Sequence, residues 1–397
     1  MYEEKRHERL IEAEWDEARA HQAIDQIVQD AHAHFDPQKL WPIHPLDQIN
    51  DNIREPFKML YFGAAGVIWA LHYLNEIGAT KLKRDYSRVL TELAAKNRID
   101  LKLSAPDRFS YLMGDVGILL VQWRLFPGDA LAGAIFRTVA ANANNSAREL
   151  MWGAPGTMLA ALFMYESTAE PHWKEAYLHS AQNLLDTWKK NPALDCFVWT
   201  QNLYGQINLY LGAVHGFAAN VFTLLKGRPF LDSRTIGLIE SRAAQTLART
   251  ATADQKYANW APVLGGTRHL VQFCHGAPGM IVCLAGLPSD EESALYQLMI
   301  KGGELIWKAG PLTKGSNLCH GTAGNGYAFL KLYRRTKNPK WLERARAFAT
   351  HAIAQTERDL KKYGHFRYSL WTGDLGLAAY LWDCIRAEAN FPTMDVF

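Results

Sequence analysis

The sequence has no run of roughly 18 uncharged apolar residues such as a membrane helix requires. Its N-terminus, Met1-Tyr2-Glu3-Glu4-Lys5-Arg6-His7-Glu8-Arg9, lacks the apolar stretch of a secretory signal. The expectation is a soluble, cytoplasmic protein with no integral membrane segment. Lysine and arginine form no tract either: 43 basic and 40 acidic residues are dispersed to a formal net charge of +3, which gives no footprint for nucleic acid or an anionic membrane. Cysteine is sparse. Cys196, Cys274, Cys283, Cys319 and Cys384 make an odd set of five without the pairing of a disulfide framework, so reduced thiols and a metal site are expected. Strand-like alternation is scarce, and no low-complexity linker or composition shift divides the chain.

What remains is an ordinary folded composition, 397 residues with 48% apolar and 21% charged, large enough for a sizeable core. Apolar and charged residues alternate at helical spacing from about Ile11 to Ala33, where Pro37, Pro42 and Pro45 mark a loop. Trp173 to Asn191 and Trp341 to Leu360 carry the same mixed faces of surface helices. The dominant pattern is a Gly-x-x-Gly step followed by an apolar helix. It recurs at Gly63/Gly66, Gly114/Gly117, Gly153/Gly156, Gly276/Gly279, Gly321/Gly324 and Gly373/Gly376, with Gly216/Ala219 as a degraded member. Successive first glycines lie 39 to 63 residues apart, room for two helices and their connections. An open solenoid carries polar capping repeats, yet the first and last copies are as apolar as the middle ones. The pattern therefore predicts an all-α fold, an α/α toroid of seven Gly-rich helical hairpins. A single domain over 1–397 is expected, with an N-terminal helical extension over about 1–50.

Stacking the copies on their first glycine locates the chemistry. The residue just before that glycine is Phe62, Met113, Trp152, His215, His275, His320 or Thr372, and two before it stand Tyr61, Leu112, Met151, Val214, Cys274, Cys319 and Trp371. If equivalent positions converge on the ring axis, His215, Cys274, His275, Cys319 and His320 lie together. Thiolate and imidazole are the donors zinc (Zn2+) prefers, three of them with an open position marking a catalytic site. Cys274, Cys319 and one or more histidines fit that count. An adjacent Cys-His pair requires an irregular turn, which the following glycine supplies, and the next helix N-terminus would favour a thiolate. Cys196, Cys283 and Cys384 lie off the register and are expected to be structural. His215, without a cysteine beside it, is either a proton donor near neutral pH or a core histidine bonded to backbone. Glu149, four residues before its glycine, is either a base or histidine-orienting group or an exposed or N-terminal helix charge. Lys314 is either a partner for a substrate carboxylate or phosphate or a solvated side chain. Asp115 and Asp374 follow their glycines as stabilising helix-start acids, and Trp69, Trp123, Trp152 and Trp371 are expected to pack the core or the rim.

Gly212-Ala213-Val214-His215-Gly216, Cys274-His275-Gly276-Ala277-Pro278-Gly279, Cys319-His320-Gly321-Thr322-Ala323-Gly324-Asn325 and a terminal Phe391-Pro392 resemble the lanthionine synthetase C-like (LanC-like) family. The likeness runs over nearly the whole chain. It implies a double-layered α/α barrel, a zinc ion held by Cys274, Cys319 and His320 with His275 left out, and an acid/base histidine at His215. The implied chemistry is addition of a thiol to dehydroalanine or dehydrobutyrine, forming a thioether. In the peptide cyclases thiol and acceptor belong to one dehydrated peptide. In the eukaryotic-type branch glutathione adds to a dehydroamino-acid-containing protein. Lys314-Gly315-Ser316-Asn317-Leu318-Cys319-His320 resembles the glutathione-binding branch, in which that lysine contacts glutathione. That branch also places an arginine-containing loop before the seventh copy, where this chain offers Lys362 or Arg367. Peptide cyclases often carry an aspartate where Glu149 aligns. Two other classes compete with the enzyme reading: a noncatalytic zinc- and glutathione-binding or partner-docking protein, and a toroid glycosidase, which would need paired inward carboxylates that Glu149, Asp115 and Asp374 do not form convincingly.

Overall fold

The computed structural model describes residues 1–48 and 55–397, so the last two residues of the expected N-terminal extension lie outside the described residues. Fourteen α-helices are present among the described residues: α1 Glu17–Ala33, α2 Ala64–Glu76, α3 Ser87–Asp100, α4 Asp115–Leu125, α5 Asp129–Asn142, α6 Ala154–Thr168, α7 Pro171–Asp186, α8 Phe217–Lys226, α9 Ser233–Thr250, α10 Ala277–Leu284, α11 Ala294–Ala309, α12 Thr322–Thr336, α13 Pro339–Tyr363 and α14 Asp374–Arg386. The even-numbered helices each follow a glycine step and form the inner layer. They are apolar nearly all round, as the buried runs Ala154–Met164 of α6 and Ala277–Leu284 of α10 show, which suits helices enclosed on every side. The odd-numbered helices, α13 apart, bury one stripe only. In α3 this is Leu90, Leu93, Ala94 and Asn97, and in α9 Ile239, Ala243, Thr246 and Leu247, the spacing of an amphipathic helix lying on a core.

The ring closes through two repeated contacts. In each step the second glycine abuts the residue three before the first glycine of the preceding copy. A Cβ added at Gly117 would lie 2.8 Å from that of Leu60, at Gly156 2.6 Å from Tyr111, at Gly279 2.7 Å from Ala213, at Gly324 3.1 Å from Phe273 and at Gly66 3.0 Å from Leu370. The last of these joins copy one to copy seven. The residues two before the glycine hydrogen-bond from copy to copy round the ring, except between Val214 and Cys274: Tyr61 N–H to Leu112 O at 3.0 Å, Leu112 to Met151 at 3.2 Å, Cys274 to Cys319 at 3.1 Å, Cys319 to Trp371 at 2.9 Å and Trp371 back to Tyr61 at 3.0 Å. At the degraded copy the register slips by one, with Leu150 rather than Met151 donating to Val214 O at 3.1 Å. These contacts make the α/α toroid, as the pattern predicts. Inside it Trp69, Trp173, Trp199, Trp260, Trp341 and Trp371 are fully buried, whereas Trp123 and Trp152 are half-buried at the rim.

Three local expectations change. Helix α1 begins at Glu17, not near Ile11, because the Asp16 carboxylate accepts from the Ala18 and Arg19 N–H groups and fixes the start there. It packs against α13 and α14, so the expected extension supplies the outer partner of the seventh inner helix. Helix α7 ends at Asp186, and Lys189–Asn191, read as helix, pairs with Cys196–Val198 as strands β1 and β2. Two further hairpins follow, β3 Gln201–Leu203 with β4 Gln206–Asn208 and β5 Ala251–Ala253 with β6 Ala258–Trp260. No described helix is long and apolar enough to cross a membrane.

Candidate functional site

Because the inner helices share one direction, the loops before their glycines crowd one mouth of the ring. The loop before α12 is wound so tightly that it caps its own helix through backbone: Thr322, Ala323 and Gly324 N–H donate to the carbonyls of Gly315, Ser316 and Asn317 at 2.9, 2.9 and 3.2 Å. Asp115 pairs with Arg98, and buried Asp374 accepts from Ser316 Oγ and Arg367 N–H, both at 2.8 Å, structural work as expected.

Cys274 and Cys319 meet at this mouth, both buried, and their side chains hydrogen-bond to one another. That bond from the Cys319 thiol holds Cys274 below the ordinary thiol pKa against the effect of burial, helped by Gln272 and by the charges of His215 and Lys314. Gln272 Nε2 donates to Cys274 Sγ at 2.8 Å. Cys319 is correspondingly raised, by the same bond and by burial. One thiolate therefore forms before the other. His320 is half-buried, and burial together with the fields of Lys314, Arg367 and Arg6 pushes its pKa down to about 3. Its ring is neutral and keeps a lone pair to give. His275 sits on a different backbone: Gly276 has φ +104°, where a Cβ would also fall 1.9 Å from Leu270 O, while Gly321 has φ −120°. The two Cys-His pairs share a register without sharing a conformation. Burial takes the His275 pKa to about 3, and its Nδ1 has no hydrogen-bond partner. Among the described residues no three His, Cys, Asp or Glu side chains are already gathered into a metal-sized group. The two thiols are assembled, and His320 follows Cys319 directly in the chain.

Glu149 and His215 form the second half of the site. Glu149 is wholly buried, and its carboxylate accepts from Met151 N–H at 3.0 Å, Trp152 N–H at 2.5 Å and His215 Nδ1 at 2.9 Å. It is neither exposed nor a helix-end charge. Burial opposes a charged His215 ring, but the Glu149 bond and charge outweigh it and raise the pKa above the usual value. With Nδ1 committed to Glu149, Nε2 is the nitrogen left for a substrate. The His215 and His275 rings are 6.1 Å apart.

Lys314 is exposed at the same mouth, its charge acting on Cys274, Cys319 and His320. Of the two cations before the seventh copy, Arg367 is buried, pairs with Asp47 and acts on His320, whereas Lys362 is exposed beside Tyr363. Cys196, Cys283 and Cys384 are buried and unpaired, away from the thiol pair.

Four further residues stand at the mouth. Tyr61 bonds the Cys319 side chain, and Gln272 bonds Cys274. Both occupy columns of the stacked copies, so their signal was present. Arg6 reaches Gln272 Oε1 at 2.8 Å because the N-terminal segment pairs with Leu312 and Thr313. Tyr204, 67% exposed at the tip of the β3–β4 hairpin, accepts from Trp152 Nε1 at 3.0 Å and turns its ring edge toward His215. Neither of these last two lies in a repeat.

The profile described as lanthionine synthetase C-like protein matches residues 16–396. Glutathione S-transferase LANCL1 of Danio rerio is 30% identical over 268 residues, 62% of each chain, so the alignment spans about three fifths of that relative. LanC-like protein GCL1 of Arabidopsis thaliana is 37% identical over 134 residues, 32% of this chain and 30% of its own. The solved structure of nisin cyclase superposes on 93% of this chain and 98% of its own with a TM-score of 0.54 at 15% identity, a likeness of fold.

Proposed function

This chain belongs to the lanthionine synthetase C-like family, and from that membership we propose that it adds a thiol to a dehydroalanine or dehydrobutyrine residue, forming a lanthionine-type thioether. The observation that carries the proposal is the Glu149–His215 dyad, held at 2.9 Å at the same mouth as the Cys274–Cys319 pair. One half supplies a proton and the other soft sulfur donors.

Two buried thiols in contact and a neutral imidazole on the residue after one of them have the donor chemistry zinc selects. In this proposal Cys274, Cys319 and His320 hold the ion. When bound, zinc supplies a Lewis acid that lowers the pKa of the attacking thiol. Gln272 and Tyr61 hold the two protein sulfurs in place. As the substrate sulfur bonds to the β-carbon, the π electrons move onto the carbonyl, and His215 Nε2 returns a proton to the α-carbon. Addition leaves nothing behind: one C–S and one C–H bond form at the cost of one C=C π bond and one S–H bond. Glu149 keeps the proton-bearing ring oriented throughout.

The acceptor is a dehydrated peptide or a dehydroamino-acid-containing protein. The thiol is an internal cysteine or glutathione, whose carboxylates suit Lys314 and Arg6. Mass spectrometry of a dehydroalanine peptide with zinc-loaded protein distinguishes the two: an internal cysteine becomes protected from alkylation at unchanged mass, while glutathione adds its own mass. Loss of the product in Cys319→Ala and His215→Ala is expected. No reaction in either arm with zinc bound would overturn the proposal in favour of a noncatalytic binding protein.

A further inference from the structure

The inner helices that begin at the thiol mouth end at the opposite one, about 20 Å away along α12 at 1.5 Å per residue. There the last turns of α8, α10 and α12 surround a cavity of about 530 Å³, within the range of small-molecule sites. Its polar lining is one-sided. Lys226, Arg228, Lys331, Arg334 and Arg335 face a single carboxylate, Asp395 of the C-terminal segment.

Lys331, only 3% exposed, is spent on the Asp395 carboxylate at 2.8 and 2.7 Å. Lys226 donates to the Asp395 carbonyl at 2.8 Å and stands 4.0 Å from Glu166, and Arg228 pairs with Glu240. Arg335 donates to Ser289 O and Oγ at 2.6 and 3.0 Å, neutral acceptors that leave its charge uncompensated. Among the described residues neither Arg334 nor Arg335 has a carboxylate within ion-pairing distance. Cations at helix C-termini are favourable in themselves, but that does not explain α8 and α12 turning theirs, with Arg228 just beyond α8, into one concavity. Phe222, Leu225, Val282 and Leu287 make its apolar wall.

We propose that this far mouth binds a small molecule carrying two or more negative charges on phosphoryl or carboxylate groups beside an apolar body. Arg334 and Arg335 grip the charges, arginine's planar fork matching either group, and the apolar wall takes the body. The proposal is independent of the thiol chemistry at the other mouth.

Isothermal titration of the full-length protein at low salt with ADP, pyrophosphate and citrate tests it. Saturable binding of at least one with Kd below about 1 mM is expected, weakened about tenfold or more in Arg334→Ala/Arg335→Ala and unchanged in Lys314→Ala. ADP binding marks a phosphoryl ligand, citrate a carboxylate one. Both arginines sit at a solvent-facing mouth, and an unaltered melting temperature of the double variant shows that any loss is local. No saturable binding overturns the proposal. So does binding that Lys314→Ala abolishes and the double variant spares, which would place the anion at the thiol mouth. Pyrophosphate binding as tightly as ADP would overturn the role of the apolar wall.

Discussion

Replacing Glu149 with glutamine keeps the volume of a wholly buried side chain and removes its charge. The carboxylate serves three donors: the Met151 and Trp152 N–H groups and His215 Nδ1. An amide has one oxygen, so its NH2 must face either a backbone N–H or the histidine. A hydrogen bond to a charged group contributes about 1.5–3 kcal/mol, and at 1.36 kcal/mol per unit its loss lowers the His215 pKa by roughly one to two units. Burial, the largest influence on that ring, is then opposed by the Cys274 charge alone. The raised pKa of the native ring means that the protonated form is the one stabilised by folding. Its contribution is complete below the unfolded value of 6.5 and lost as pH rises through the raised native value. The rate of thiol addition, followed by mass spectrometry from about pH 5.5 to 9, should fall on that alkaline side, with the limb displaced downward by about one to two units in Glu149→Gln. NMR titration of the His215 ring gives the same displacement without reference to turnover. An unmoved limb and an unmoved ring titration would refute the reasoning, even if the variant were slow.

Cys319→Ala should reduce bound zinc from one equivalent to near none by elemental analysis and expose Cys274 to alkylation; full retention of zinc would remove Cys319 from the ligand set. Lys314→Ala should raise KM for glutathione severalfold while leaving addition of an internal peptide cysteine unchanged, since the lysine answers the tripeptide's carboxylate. Gly66→Ala forces a Cβ to within 2.2 Å of Leu60 O and 3.0 Å of Leu370 Cβ at the ring joint and should cost about 1–3 kcal/mol in chemical denaturation. Gly237→Ala in α9 meets nothing within 4 Å and should gain about 0.5–1 kcal/mol; equal effects at the two glycines would contradict the packing described for the joint.

The toroid was legible because its geometry forbids side chains at one repeated place. Wherever an inner helix leans on Leu60, Tyr111, Phe273 or Leu370, the contact leaves no space for a Cβ, so the glycines recur and their register carries Cys274, Cys319 and His215 with it. Contacts between copies were less legible. Glu149 occupies the column in which Asn317 accepts from His320 N–H at 3.0 Å, a turn-capping task that asparagine or serine also performs. Only the structure shows its longer side chain going on to His215. The hairpins escaped because three-residue strands are too short to display an alternation. The start of α1 was present in Asp16 as a capping residue and was overridden by apolar periodicity on either side.

The run of backbone bonds round the thiol mouth also sets an order of events during synthesis. Tyr61 has both its N–H and its carbonyl in that run, and the donor to the carbonyl, Trp371, leaves the ribosome about 310 residues later, a wait of roughly 15 to 60 s at ordinary elongation rates. Through that interval Leu60 and the inner face of α2 have a partner on one side only, and Cys319 lacks the Trp371 carbonyl that receives its own N–H. A nascent chain holding six copies is a broken hoop with an oily edge, an apt client for a chaperone, and its reactive pair is finished only when the last copy arrives.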